Sequence, residues 1–87
     1  MSNLYITKKV KREMRMDKDF AEEIAQCLIR FGNRDWGDSE EHDKKANDEA
    51  MKTKERVVAV YKTTKGKVQM IYENNHTTIT IMFTNEY

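Results

Sequence analysis

The sequence predicts an α+β domain, with two helices packed on a three-stranded antiparallel β-meander and a short N-terminal strand or helical turn ahead of them. Three observations lead there. Apolar residues recur at helical spacing from Asp19 to Phe31. A second, more polar stretch with a helix-start pattern follows from Asp38 to about Lys52. After Val57 the apolar period falls to two, over runs separated by turn residues. A chain of 87 residues fits a single domain, 1–87. With 38% hydrophobic and 36% charged residues it is polar, yet its apolar residues cluster periodically, which separates it from a disordered chain.

Leu4-Tyr5-Ile6 reads as an edge strand or a lead-in. Val10 and Met14 lie four apart within a basic run, which suits a helical turn or two. The clearest helix spans Asp19 to Phe31. Asp17 or Asp19 accepts from free N–H groups at its start, and Glu22 and Glu23 in its first turn suit the helix dipole. Phe20, Ile24, Cys27, Leu28 and Phe31 fall on one face to be buried. Gly32 is placed to end the helix in a left-handed conformation. Trp36 then packs over the end of this helix or stands out as an interface anchor.

Asp38 followed by Glu41 matches a capping box and starts the second helix. Ala46, Ala50 and Met51 supply its sparse apolar face, which Asp43 and Asn47 share. Polar groups there require hydrogen-bond partners.

The Val57–Tyr61 run is the first strand. Thr64-Lys65-Gly66 is a hairpin loop in which Gly66 takes a positive φ. Val68, Met70 and Tyr72 alternate with Gln69, Ile71 and Glu73, and Asn74-Asn75 marks the next turn. A two-residue loop there sets Glu73 opposite His76, Met70 opposite Ile79 and Val68 opposite Ile81. The helices cover the Ile79/Ile81/Phe83 face. Tyr87 frays or tucks back on the third strand.

The net charge of +1 hides an asymmetry. Residues 1–34 hold eight Lys/Arg and five Asp/Glu, residues 35–55 four and eight, and residues 56–87 four and two. A basic end beside an acidic middle steers charged partners, unless both are solvated helix faces. Cys27 is the one cysteine, so no disulfide forms within the chain, and its place on the helix's apolar face makes it a core residue. The start, Met1-Ser2-Asn3-Leu4, lacks a signal-peptide layout, and no run approaches the roughly 20 apolar residues of a membrane span. A cytoplasmic protein is expected.

No catalytic, metal or cofactor set is legible. His42, His76 and Cys27 fall short of the roughly four ligands of a structural zinc site. Gly-rich phosphate loops are absent. Lys8, Lys9, Lys11, Arg12, Arg15 and Lys18 form a basic segment able to contact phosphates, with Tyr5 as its one neighbouring aromatic residue.

One ordered set of residues carries a resemblance. Asp35-Trp36-Gly37-Asp38, then Asp43, Asn47, Asp48 and Ala50, then Arg56, Tyr61 and Lys67, then Glu73, Thr77-Thr78-Ile79, Phe83 and Glu86-Tyr87 occur in order. This resembles a family of short proteins from plasmids and other mobile elements of Firmicutes, sometimes labelled as type I restriction subunits. The likeness runs from about Phe20 to Tyr87. The chain departs from it at Tyr72-Glu73 (T-E in the family), at Asn74-Asn75-His76 (D-R-S) and at Thr84 (Pro). A ligand contact made by the family's Asp-Arg pair would be missing here.

The resemblance implies a non-enzymatic binding protein of a mobile element. Its partner would be a host protein, such as a component of a restriction or CRISPR defence system, and the chain would act as an inhibitor. The matching polar residues, Asp35, Trp36, Asp38, Asp43, Asn47, Glu73, Thr77, Thr78, Glu86 and Tyr87, either line a partner surface or supply the capping, turn and helix-to-sheet hydrogen bonds of a small domain. Two other readings stand beside it. One is a nucleic-acid accessory factor using Lys8 to Lys18. The other is a small enzyme or small-molecule binder using Asp43, Asn47 and Glu73, which a deep polar pocket between the second helix and the strands would support. Either a monomer or a homodimer is compatible with the sequence.

Overall fold

A computed structural model describes residues 3–73 and 75–86. The fold is α+β, but it holds three helices and a four-stranded mixed sheet among the described residues, more than the two helices and three-stranded meander expected. The order along the chain is β1 (Asn3–Ile6), α1 (Lys8–Met16), α2 (Lys18–Gly32), α3 (Glu41–Thr53), β2 (Val57–Thr63), β3 (Gly66–Glu73) and β4 (Thr78–Phe83). A 3-10 turn, Thr84–Glu86, follows.

The additions lie at the N-terminus. Leu4-Tyr5-Ile6 is an edge strand that pairs parallel with the last strand, Leu4 opposite Ile79 and Ile6 opposite Ile81. That pairing joins residues 75 apart in sequence, so no local pattern announces it. The basic run beyond it is a nine-residue helix, α1. Thr7 caps it by accepting from the Val10 N–H, and Val10 is wholly buried.

Asp17 caps α2, its carboxylate accepting from the N–H groups of Asp19 at 3.0 Å and Phe20 at 3.2 Å. The bond from Phe20 is the larger cause that holds this carboxyl below its ordinary range. Because the helix starts at Lys18, Asp19 rather than Glu22 or Glu23 occupies its first turn. Phe20, Ile24, Cys27 and Phe31 are buried as their spacing predicts. Gly32 stays helical, and Arg34, at φ 60°, takes the left-handed conformation expected of it.

The sheet order is β1-β4-β3-β2. The β2–β3 hairpin turns at Thr64 and Lys65, and Gly66 has φ +113° as expected. The β3–β4 register differs from expectation. Glu73 pairs with Thr78, Met70 with Ile81 and Val68 with Phe83. The slip is two residues, so every side chain keeps its face. A longer turn takes up the difference: Asn75 and His76 are left-handed, and the Thr77 N–H donates to the Glu73 carbonyl at 3.1 Å. The His76 ring also stacks on Tyr72 at 4.2 Å. Asn74 and Tyr87, both named from the sequence, lie outside the described residues.

The helices cover the face bearing Val57, Ala59, Tyr61, Val68, Met70, Ile81 and Phe83, all buried. Phe20 stacks on Phe83 at 5.9 Å, and Trp36 meets Phe31 edge-on at 5.3 Å, so Trp36 does pack over the end of α2. The opposite face, with Val58, Val60, Gln69, Ile71, Thr80 and Met82, turns away from this core.

Candidate functional site

The Asp35-Trp36-Gly37-Asp38 segment lies along the outer edge of β2. An edge strand offers unpaired N–H and C=O groups, and here the chain closes them itself. The Asp38 N–H donates to the Val60 carbonyl at 2.7 Å, and its carboxylate accepts from the Lys62 N–H at 2.9 Å. The Ser39 hydroxyl accepts from the Val60 N–H at 3.1 Å. Asn47 in α3 acts like one residue of a further strand, donating to the Val58 carbonyl at 2.9 Å and accepting from its N–H at 3.3 Å. Asp38 is thus not the cap of α3. The helix starts after Glu40 with no side-chain cap bond, because Asp38 bonds to β2 instead.

Asp35 and Trp36 anchor this clip. The Asp35 carboxylate takes two bonds from Arg30, at 2.8 and 3.3 Å, and one from the Gly37 N–H at 3.0 Å. Arg30, then Gly37, holds its carboxyl below the ordinary range. The Tyr61 hydroxyl donates to the Asp35 carbonyl at 2.7 Å, and burial pushes that phenol's pKa well up. Trp36 is 3% exposed and donates its indole N–H to Asp48 at 2.9 Å. Buried so deeply, its ring presents no open face to a partner. Gly37 crosses directly over Val60 and Tyr61 at φ +65°.

The other residues of the polar set are dispersed. Asp43 is exposed on α3, 3.1 Å from His42. Ala46 beside it is also exposed, so Asn47 and Ala50 alone form the buried face of α3. Glu73 pairs with Arg56 at 3.7 Å, Thr77 lies in the adjoining turn, and Thr78 opens β4 opposite Glu73. Glu86 lies at the opposite end of β4, where one carboxylate oxygen accepts from the Thr7 hydroxyl at 3.1 Å and the Phe83 N–H at 2.7 Å.

Two grooves are the candidates for binding. One, of about 570 Å³, lies between α3 and the outward sheet face. Asp38, Glu40, Asp43 and Asn47 line one wall, and Arg56, Val58, Val60 and Lys67 the other. It gathers Asp43 and Asn47 but not Glu73, and the oxygen and nitrogen of the Asn47 side-chain amide are both already bonded to β2. Glu40, His42 and Asp43 bring ligand atoms within 4.8 Å of one another. All three are exposed at the start of a helix, and we assign no metal to them.

The second groove, also about 570 Å³, belongs to the basic segment. Ile6, Met14 and Ala21 form an apolar floor, and Lys8, Lys11, Arg12 and Arg15 its rim. The spacing i, i+3, i+4, i+7 puts these four cations on one side of α1. None of them has an acidic partner among the described residues. The acids of this segment, Glu13 and Asp17, both pair with Lys65, each at 3.5 Å. Lys9 lies apart, 5.7 Å over the Phe83 ring, and Lys18 lies outside the groove.

Sequence reasoning found the cations and missed the floor. Ile6, Met14 and Ala21 come from β1, α1 and α2, and only the fold brings them together. The detectable signal is a second apolar stripe on α2, Ala21-Ala25-Leu28-Ile29, on which Ile29 is 56% exposed. Among the described residues no helix is long and apolar enough to cross a membrane. No family model, curated protein or solved structure matches the chain.

Proposed function

We propose that the chain is a non-enzymatic binding protein that engages an acidic protein partner through the basic groove of α1. The observation that carries this reading is the pairing of four uncompensated cations, Lys8, Lys11, Arg12 and Arg15, with a floor of Ile6, Met14 and Ala21. Cations alone suit any polyanion. An apolar floor suits a protein segment that offers both carboxylates and an aliphatic side chain. The resemblance to mobile-element proteins supplies the setting: a host protein, such as a restriction or CRISPR component, inhibited by the complex.

Nucleic acid is the second reading, favoured by the same row of cations on one helix face. Against it, bases bind best on planar rings, and among the described residues no aromatic side chain lines this groove.

The test is affinity capture from host lysate with and without nuclease, using the wild-type chain and the variant Lys8→Glu/Lys11→Glu/Arg12→Glu/Arg15→Glu. A stoichiometric protein that survives nuclease and is lost with the variant is the expected result. Capture that vanishes with nuclease replaces this reading by the second.

A further inference from the structure

The sheet's two outer edges are treated differently. On β2 the N–H groups of Val58, Val60 and Lys62 all have acceptors from Asn47, Ser39 and Asp38. On β1 nothing comparable is present among the described residues. Alternate residues of a parallel strand bond to the same neighbour. Asn3 and Thr7 donate to Thr77 and Ile81 across β4, at 2.7 and 3.1 Å. Leu4 and Ile6 therefore direct their N–H and C=O groups outward. The side chains along this edge are open as well, Leu4 being 47% and Tyr5 56% exposed. Ile6, the last residue of the edge, is also the first residue of the basic groove.

We propose that the outer edge of β1 docks an extended acidic segment, which adds to the sheet as a fifth strand and runs its acidic end into the α1 groove. This deepens the basic-groove reading and rests on it. The backbone groups of Leu4 and Ile6 supply main-chain hydrogen bonds, the mode by which exposed sheet edges recognise extended peptides. Side chains that fall beside Leu4 and Ile6 continue the apolar row toward Met14 and Ala21. The carboxylates beyond them meet Lys8, Lys11, Arg12 and Arg15.

Charge selects this occupant over a second copy of the chain. A second copy adding its own β1 would bring Asn3-Leu4-Tyr5-Ile6, a segment without a carboxylate, and leave the four groove cations unmatched. An acidic strand supplies the missing carboxylates.

The probe is a peptide of alternating valine and threonine that ends in a run of glutamates, added to the full, isotopically labelled chain. Two controls accompany it, one with the alternate amides N-methylated and one with lysines in place of the glutamates. The expected result is a shift of the Leu4 and Ile6 amide signals, and about tenfold slower hydrogen exchange there. N-methylation should weaken binding by about tenfold or more, and the lysine peptide should not bind. Equal binding of the N-methylated peptide, with shifts confined to Lys8–Arg15, would overturn strand addition and leave the basic groove standing. No shift with any peptide up to about 1 mM overturns strand addition as well. If a single-stranded oligonucleotide then shifts Lys8–Arg15, the protein-partner reading falls with it.

Discussion

Gly37 shows how tightly the β2 clip is built. A Cβ there would stand 2.6 Å from the Val60 carbonyl oxygen and press into the Tyr61 ring, at a φ of +65° that disfavours any side chain. Gly37→Ala should therefore destabilise the fold by about 2 kcal/mol or more, read as a lowered midpoint in urea. Asn47→Ala removes both partners of Val58 from a partly buried site and should lose about 1–3 kcal/mol. Gln69 runs the other way. Its side-chain nitrogen is buried without a hydrogen-bond partner among the described residues. Gln69→Met keeps the shape and drops the unpaired donor, so stability should rise by about 1 kcal/mol. Single residues were unevenly legible. Spacing places Cys27 on the buried stripe of α2, whereas the sequence leaves Trp36 as either a packing residue or an interface anchor, and its burial against Phe31 decides for packing. The sequence is ambiguous at Asp38 because the same three-residue spacing to Glu41 serves a helix cap or an edge clip, and only the position of Lys62 decides between them.

Helix α2 was the most legible element, because its buried stripe is continuous and Asp17 announces its start. Helix α1 reads in the sequence as only a turn or two, since Val10 is its one fully buried residue and its other sides are charged. Strand β1 was ambiguous for a different reason: a parallel partner at the far end of the chain leaves no local signature. At this scale the caps set the acid limit of the fold. Asp17 and Asp35 both have folded-state pKa values below the ordinary range, from backbone N–H bonds at Asp17 and chiefly from Arg30 at Asp35. The unfolded chain then binds more protons as pH falls through that range, so the stability they contribute is present above about pH 4 and lost below it. Denaturant midpoints should hold down to about pH 5 and drop toward about pH 3. The Asp17→Asn/Asp35→Asn variant should show a shallower drop.

Over the whole molecule, charge and edge protection are both one-sided. The basic helix α1 carries four unpaired cations on its groove side, while Glu40, which precedes α3, and Glu41, Asp43 and Glu49 within it face solvent. Binding through α1 should weaken as salt rises from about 50 to about 300 mM, as the Debye length shortens past the spacing of these charges. The sequence displayed the charge asymmetry, since it depends on composition by segment. It hid the contrast between the edges, since that depends on which strands lie outermost. Amide hydrogen exchange on the free protein tests that contrast most directly. Val58, Val60 and Lys62 should be protected well beyond Leu4 and Ile6, which should exchange at rates near those of exposed turns. Leu4 and Ile6 as slow as Val60 in the isolated chain would contradict it, because the β1 edge would then already be closed.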